Sequence, residues 1–271
     1  MSQAPRSTPN ELSALIDRLC EAGRYVIAPS NRDVRLAGGR RRARTGEEAY
    51  GELEPVAIDY LLDVLDVDET STLLDVGVGT GQIIVRAAAL TGATAIGVDI
   101  DAVLVDVARA NVDVVRRQLR HRRLAMGVAH AFLADGTRPL GGGWLGDVHS
   151  VSHVFINNVV FHDHTTKDII RQQVRSRRLV VGTRIVLVKA LLWSPSDDDD
   201  DELFRHLEMP VRRLVPPAEL ERVMSWTSKW CIFSVYTLRS RDDSPSFRDD
   251  WRSAYRDELV RLKRPFGRNV I

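Results

Sequence analysis

Asp75-Val76-Gly77-Val78-Gly79-Thr80-Gly81-Gln82 follows the apolar run Thr72-Leu73-Leu74 and precedes Ile83-Ile84-Val85-Arg86-Ala87-Ala88-Ala89. The pattern predicts a buried strand, a glycine-rich turn and then a helix with one packed face. Glycines at alternate positions let the backbone approach a ligand closely, because no Cβ intervenes and positive φ is accessible. The spacing is Gly-x-Gly-x-Gly. It differs from the Gly-x-Gly-x-x-Gly of dinucleotide binders, in which the third glycine opens a helix that faces a pyrophosphate. Asp75 places a carboxylate at the strand end, which repels a phosphate and suits a cationic ligand.

Ala93-Thr94-Ala95-Ile96-Gly97-Val98 predicts the second strand, and Asp99 ends it. An acidic residue about 20 or more positions after the glycine loop is where a ribose diol is hydrogen-bonded in this architecture. A ligand with a ribose diol, an ammonium, a sulfonium and no phosphate is S-adenosylmethionine, and this pairing of loop and carboxylate points to it. The alternative is that Asp75 and Asp99 only cap helices. Three glycines beside them weigh against it.

The 271 residues, 44% of them apolar, suffice for one large domain and an appendage. No apolar run is long enough to span a bilayer, and Met1 to Pro9 lack a secretory pattern. Cys20 and Cys231 lie far apart and suggest neither a disulfide framework nor zinc spacing, so a reduced, intracellular compartment is expected. Net charge is +1, and Lys167, Lys189, Lys229 and Lys263 are the only lysines. The cationic charge is therefore almost all arginine, which favours bidentate phosphate contact. A compositional bias of the source genome accounts for the same observation.

Outward from the glycine loop, strands alternate with helices. Asn10 to Ala22 carries Leu12, Leu15, Ile16, Leu19 and Cys20 at helical spacing. A basic arm, Gly38-Gly39-Arg40-Arg41-Arg42-Ala43-Arg44, precedes Tyr50-Gly51-Glu52-Leu53 and a helix from about Glu54 to Val67. Asp101 to Arg123 predicts a long helix whose terminal arginines complement the macrodipole. Further strands are expected at 127–133, 152–156 and 184–188, with a helix over 166–177 between the last two. Val211 to Val215 and Cys231 to Leu238 predict a late strand pair at one edge, and Arg248 to Lys263 a terminal helix. The acidic run Asp197 to Glu202 is expected to be exposed, because such a block repels itself. The whole predicts a parallel α/β sheet with helices on both faces.

In an open α/β sheet, ligands sit outside the carboxyl ends of the strands. Here those ends carry Asp75, Asp99, Asp135 and Asn157-Asn158. Asp135, before Gly136, suits either an adenine amino group or a turn. The paired asparagines follow the apolar Phe155-Ile156, and buried amides require hydrogen-bond partners. An asparagine carbonyl accepts from a substrate amine without adding a competing positive charge. His162-Asp163-His164 has no metal-site spacing and is expected to be loop polarity.

Tyr50-Gly51-Glu52, Asp75-x-Gly-x-Gly-x-Gly-Gln82, Phe155-Ile156-Asn157-Asn158-x-x-Phe161 and Ser225-Trp226-Thr227-x-Lys229, in this order, resemble the disruptor-of-telomeric-silencing family. These are histone lysine methyltransferases without a SET domain, which act on a lysine on the globular surface of histone H3 in nucleosomes. The similarity spans roughly Tyr50 to Leu238, and Lys189 after the fifth strand also fits. It implies a Rossmann-like, seven-stranded class I methyltransferase sheet over 48–240; on either side, spacing and charge predict a helical segment with the basic arm over 1–47 and a C-terminal helix with a basic tail over 241–271. The resemblance implies contacts to S-adenosylmethionine from Tyr50, Glu52, Asp75, Gly77, Gly79, Gln82, Asp99 and Asp135. It further implies Asn157 beside the methyl donor, with Phe161, Trp226 and Phe233 lining a lysine channel. Leu53 stands where the family has threonine, Gly136 where it has an aromatic and Phe233 where it has tyrosine. A nuclear location and a nucleosomal partner, with DNA phosphates met by Arg40, Arg41, Arg42 and Arg44, complete the expectation; a solvated arm is the alternative for those arginines.

The same fold serves methyltransferases of RNA and of other proteins, and a chromatin-binding module could retain it without catalysis. The first would carry an Asn-Pro-Pro-aromatic motif or a separate RNA-binding module, and the sequence contains neither.

Overall fold

A computed structural model of the protein describes residues 9–26, 53–138, 150–158, 161–192, 198–208, 210–214, 232–244 and 246–253. The strands are β1 (Thr72–Val76), β2 (Thr94–Asp99), β3 (Ala129–Leu133), β4 (Val151–Ile156), β5 (Leu179–Leu187), β6 (Val211–Leu214) and β7 (Ile232–Thr237). The helices are α1 (Pro9–Val26), α2 (Pro55–Val64), α3 (Gln82–Arg86), α4 (Ala102–His121), α5 (Asp163–Arg175) and α6 (Asp198–Arg205); α3 runs on as a π-helical turn over Ala87–Thr91. One sheet holds the strands in the order β3-β2-β1-β4-β5-β7-β6. The first five are parallel, while β7 is antiparallel to both β5 and β6. The strand order reverses between β1 and β4, where an open sheet splays its loops apart.

Side-chain alternation along the strands divides the interior into two cores. Leu73, Phe155, Val186, Phe233 and Val235 face α2, α3 and α4, with Ile16 of α1 joining them. Leu74, Val154, Ile156, Ile185, Leu187 and Tyr236 face α5, α6 and a helical stretch at 247–253 that supplies Phe247 and Trp251. A sheet covered on both faces explains the near-continuous apolar runs of its strands.

β5 starts earlier than its pattern predicts, at Leu179 rather than Arg184. Gly182, with φ of +94°, lies in a bulge: Leu179 pairs with Val151, whereas Arg184 pairs with His153. The Thr183 hydroxyl closes it, donating to Val151 O at 2.7 Å and accepting from Val180 N at 3.0 Å.

The acidic run is partly buried rather than exposed as expected. Residues 198–202 begin α6, and Asp200 and Asp201 are buried while Asp199 and Glu202 face solvent. Self-repulsion is offset by cations distant in sequence: Asp200 meets Lys167 at 2.6 Å and Arg171 at 2.9 Å, and Asp201 pairs with Arg248.

A second buried ion cluster attaches α1. Arg86, 1% exposed, donates to both Asp59 carboxylate oxygens and to Asp17, each at 2.5 Å, and to the Ser13 hydroxyl. Burial acts to lower the guanidinium pKa, but the Asp59 hydrogen bonds and charge, then Asp17, outweigh it and raise the pKa.

His153 is buried in β4 and contacts Ser152 Oγ at 2.9 Å and Leu65 O at 3.1 Å. Burial holds its pKa below the ordinary value, and Arg184 adds to the shift. The unfolded chain, with a histidine pKa of about 6.5, binds the proton more readily than the fold does. This contribution to stability is complete above that pH and is lost as pH falls through it and below. Urea titrations between pH 7.5 and 5 should show the loss, and His153→Gln should flatten it. Parallel profiles for the two proteins would remove His153 as the cause.

Candidate functional site

The glycine loop crosses the carboxyl end of β2, with the N–H groups of Gly77 and Val78 donating to Val98 O at 2.8 and 3.0 Å. Gly77 has φ of +88° and is solvent-exposed; a Cβ built there would meet only the Phe161 ring, at 3.8 Å. Gly81, at φ of +82°, is required for packing, since a Cβ would stand 2.9 Å from Ala108 Cβ and 3.1 Å from its Cα. The loop is therefore tight against α4 on one side and open above Gly77 on the other.

Asp99 ends β2, and its side chain braces the loop. One oxygen accepts the Gly79 N–H at 3.1 Å and the other the Asp101 N–H at 3.0 Å. Burial pushes the Asp99 carboxyl above its usual range, with those N–H groups acting against the shift. Asp101 then caps α4, accepting from Val103 N at 2.9 Å. Beside Asp99, Ile100 is 74% exposed, and Val103 and Leu133 are also exposed. These apolar side chains were not singled out by the sequence pattern, in which they look like ordinary helix and strand flanks.

Asp75 corrects the expectation of a solvent-facing strand end, for it is only 2% exposed. It lies within β1 between Gly97 and Phe155, on the face of the sheet shared by Leu73. An alanine there would disturb the core as well as any ligand. Gln82, the first residue of α3, is buried too.

Asp135 takes the turn role that its sequence context allows. One oxygen accepts from Thr137 N and Oγ1 at 2.9 and 2.6 Å, and the other lies 3.4 Å from Arg138. The Thr137 hydroxyl is the chief reason that its pKa lies below the usual range. Gly136 has no room for the family's aromatic, because a Cβ there would approach Val76 Cγ1 to 2.6 Å.

At the carboxyl end of β4 the chain turns sharply, with Asn158 N–H donating to Ile156 O at 2.9 Å, so Asn157 occupies the apex of a three-residue turn. The two asparagines divide their work. Asn158 is buried and doubly bonded to the main chain after β5, donating to Lys189 O at 2.9 Å and accepting from Lys189 N at 2.7 Å. Asn157 is half-buried at the tip, and Phe161 is half-buried over Gly77. Asp163, expected as loop polarity, opens α5 and ties the loop to the segment after β5 by accepting the Leu192 N–H at 3.0 Å. Phe233 is wholly buried in the core with Phe155 and Val186. Tyr50, Glu52, Trp226 and the arm with Arg40, Arg41, Arg42 and Arg44 lie outside the described residues. Among the described residues, no group of three histidine, cysteine or acidic side chains is placed to hold a metal ion, and no helix is long and apolar enough to cross a membrane.

The order of these parts along the chain has a counterpart among known families. Residues 40–238 match the profile of the family described as histone methylation protein DOT1. The chain belongs to the DOT1 family. Membership makes methyl transfer the reaction class of the chain. No curated protein matches the chain. Solved structures similar in fold include an RNA methyltransferase from Salinibacter ruber bound to S-adenosyl-L-homocysteine, at 22% identity and TM-score 0.45, over 71% of this chain and 96% of that one. Another is the magnesium protoporphyrin IX methyltransferase of Synechocystis PCC 6803 with bound S-adenosylmethionine, at 14% identity and TM-score 0.46, over 88% and 100%.

Replacing Asp99 with alanine in this DOT1-family chain removes the acceptor that braces Gly79 and faces the loop. Donor affinity is expected to fall about 10-fold or more, the value of one lost charge-assisted hydrogen bond. Calorimetry with S-adenosylhomocysteine measures it, and an unchanged Kd would detach Asp99 from the site.

Proposed function

We propose that the protein is an S-adenosylmethionine-dependent histone-lysine methyltransferase whose acceptor is a lysine on the globular surface of histone H3 in nucleosomes. The observation that carries the reading is the Asn157 turn at the end of β4, in a chain that matches the DOT1 family from residue 40 to 238. The residues fit the donor: Gly77 leaves a cradle without a Cβ, Asp99 offers an acceptor for a ribose diol, and exposed Ile100 offers an apolar face.

When bound, S-adenosylmethionine supplies an electrophilic methyl group on a cationic sulfonium. The chain's own residues prepare the acceptor. A lysine amine has a reference pKa of about 10.4 and must be neutral to act as a nucleophile. Burial beside Phe161 lowers that pKa, and the proton leaves to water. Asn157 then accepts from the neutral amine through its side-chain carbonyl and directs the lone pair. Orientation and water exclusion carry the step, and no dedicated general base is required.

The arm with Arg40, Arg41, Arg42 and Arg44 precedes Tyr50 closely in sequence, and it grips nucleosomal DNA through phosphates. Chromatin, and with it the nucleus, is the compartment that this acceptor implies. The test offers labelled donor to nucleosomes, free histones and RNA at low and moderate salt. Label on nucleosomal H3 that falls steeply with salt supports the reading. Label on RNA alone replaces it with an RNA methyltransferase, and nucleosome binding without transfer leaves a non-catalytic chromatin module.

A further inference from the structure

The loop that carries Asn157 and Phe161 joins β4 to α5, and both of its ends are tied to one short segment after β5. At the near end Asn158 brackets the Lys189 peptide with two hydrogen bonds. At the far end Asp163 Oδ1 accepts the Leu192 N–H at 3.0 Å. Between them the Tyr236 hydroxyl accepts the Leu191 N–H at 2.9 Å. The second Asp163 oxygen lies 2.7 Å from Lys167 Nζ, and the same ammonium lies 2.6 Å from Asp200 Oδ2. Asp200 is 0% exposed, and its other oxygen accepts from Arg171 at 2.9 Å.

We infer that Lys167 and Asp200 are positioning residues for methyl transfer, a buried pair on α5 and α6 that holds Asp163 and, through it, the Asn157 loop. The inference rests on the methyltransferase reading above. Asp163 has two tasks, one oxygen for Leu192 and one for Lys167. Without the ammonium, the Asp163 and Asp200 carboxylates face each other across a buried gap, and like charges there repel strongly. Asp200 keeps Arg171, so Asp163, the more exposed of the two, is the one that swings away and releases Leu192. The acidic helix α6 thus acts as an internal clamp on the reacting loop.

Lys167→Met, Lys167→Arg and Leu203→Ala separate this role from general stability. Leu203 is buried on α6 but takes no part in the bond chain. Lys167→Met is expected to lower kcat about 10- to 100-fold, the cost of a misplaced reacting group. Donor Kd stays within about twofold in this variant, because the glycine loop and Asp99 are untouched. Lys167→Arg restores most of the rate, and Leu203→Ala, with at least as large a fall in Tm, keeps kcat near wild type. Hydrogen exchange at Asn158, 161–164 and Leu192 accelerates in Lys167→Met alone. Should Lys167→Met not fold, Asp200→Asn gives a smaller change in the same direction. A rate in Lys167→Met equal to wild type, or an equal loss in Leu203→Ala, overturns the clamp. If the wild type transfers no methyl group, the functional reading fails by itself, and exchange still decides: unchanged loop protection in Lys167→Met overturns the clamp.

Discussion

Asn157→Ala is expected to lower kcat about 100- to 1,000-fold, the usual cost of deleting one preorganised hydrogen-bonding group at a reacting centre. Donor affinity should remain within about twofold, because the glycine loop and Asp99 are untouched. The geometry makes the substitution selective. Asn158 carries the anchoring bonds to Lys189, and the turn itself is held by a main-chain hydrogen bond from Asn158 to Ile156. Alanine at the apex therefore removes the side-chain amide and leaves the turn in place. Asn158→Ala should behave differently, loosening the loop and lowering Tm. Single-turnover transfer rates and donor calorimetry on both variants make the comparison. A near wild-type rate for Asn157→Ala would place the acceptor amine elsewhere.

Arg86→Met should have the largest effect on stability. The methionine fills much of the volume, but Asp17 and Asp59 are left facing each other around Ser13 without a counter-charge. Breaking a buried ion pair by removing one partner costs about 3–5 kcal/mol. Both carboxylates are roughly a third exposed and can be partly rehydrated, which places the expectation at the lower end, about 3 kcal/mol. Because Arg86 joins α1 to α2 and α3, amide protection over residues 10–19 should fall further than protection in the sheet. Urea denaturation with hydrogen exchange measures both. A loss below about 1 kcal/mol would show that apolar contacts of Ile16 and its neighbours suffice to hold α1.

The sheet was largely legible in the sequence because strands buried on both faces are continuous apolar runs. The glycine loop was legible because its spacing is itself a backbone geometry. What escaped was set by partners distant in sequence. The run Asp197 to Glu202 is self-repelling when judged locally, yet Lys167, Arg171 and Arg248 neutralise its inward face. Arg86 looked like one residue of an amphipathic helix, and nothing nearby in the chain announces Asp17 or Asp59. Asp75 stands at a strand end before a glycine loop, but β1 runs between β2 and β4 and its Asp75 side chain is buried on the face that carries Leu73. The distinct tasks of Asn157 and Asn158 follow from one hydrogen-bonded turn that no periodicity encodes. Tyr50, Glu52 and Trp226 rest on the family motif alone.

The most direct measurement of the central claim is equilibrium binding of S-adenosylmethionine to the wild type and to Gly77→Arg, with NAD as the comparison ligand. A Cβ at Gly77 would make only an ordinary contact with the Phe161 ring, at 3.8 Å, whereas one at Gly81 would strike Ala108. The wild type should bind the donor and not NAD, and Gly77→Arg should lose donor binding while keeping its far-ultraviolet circular dichroism. Donor binding of equal strength in both proteins would contradict the assignment of the site.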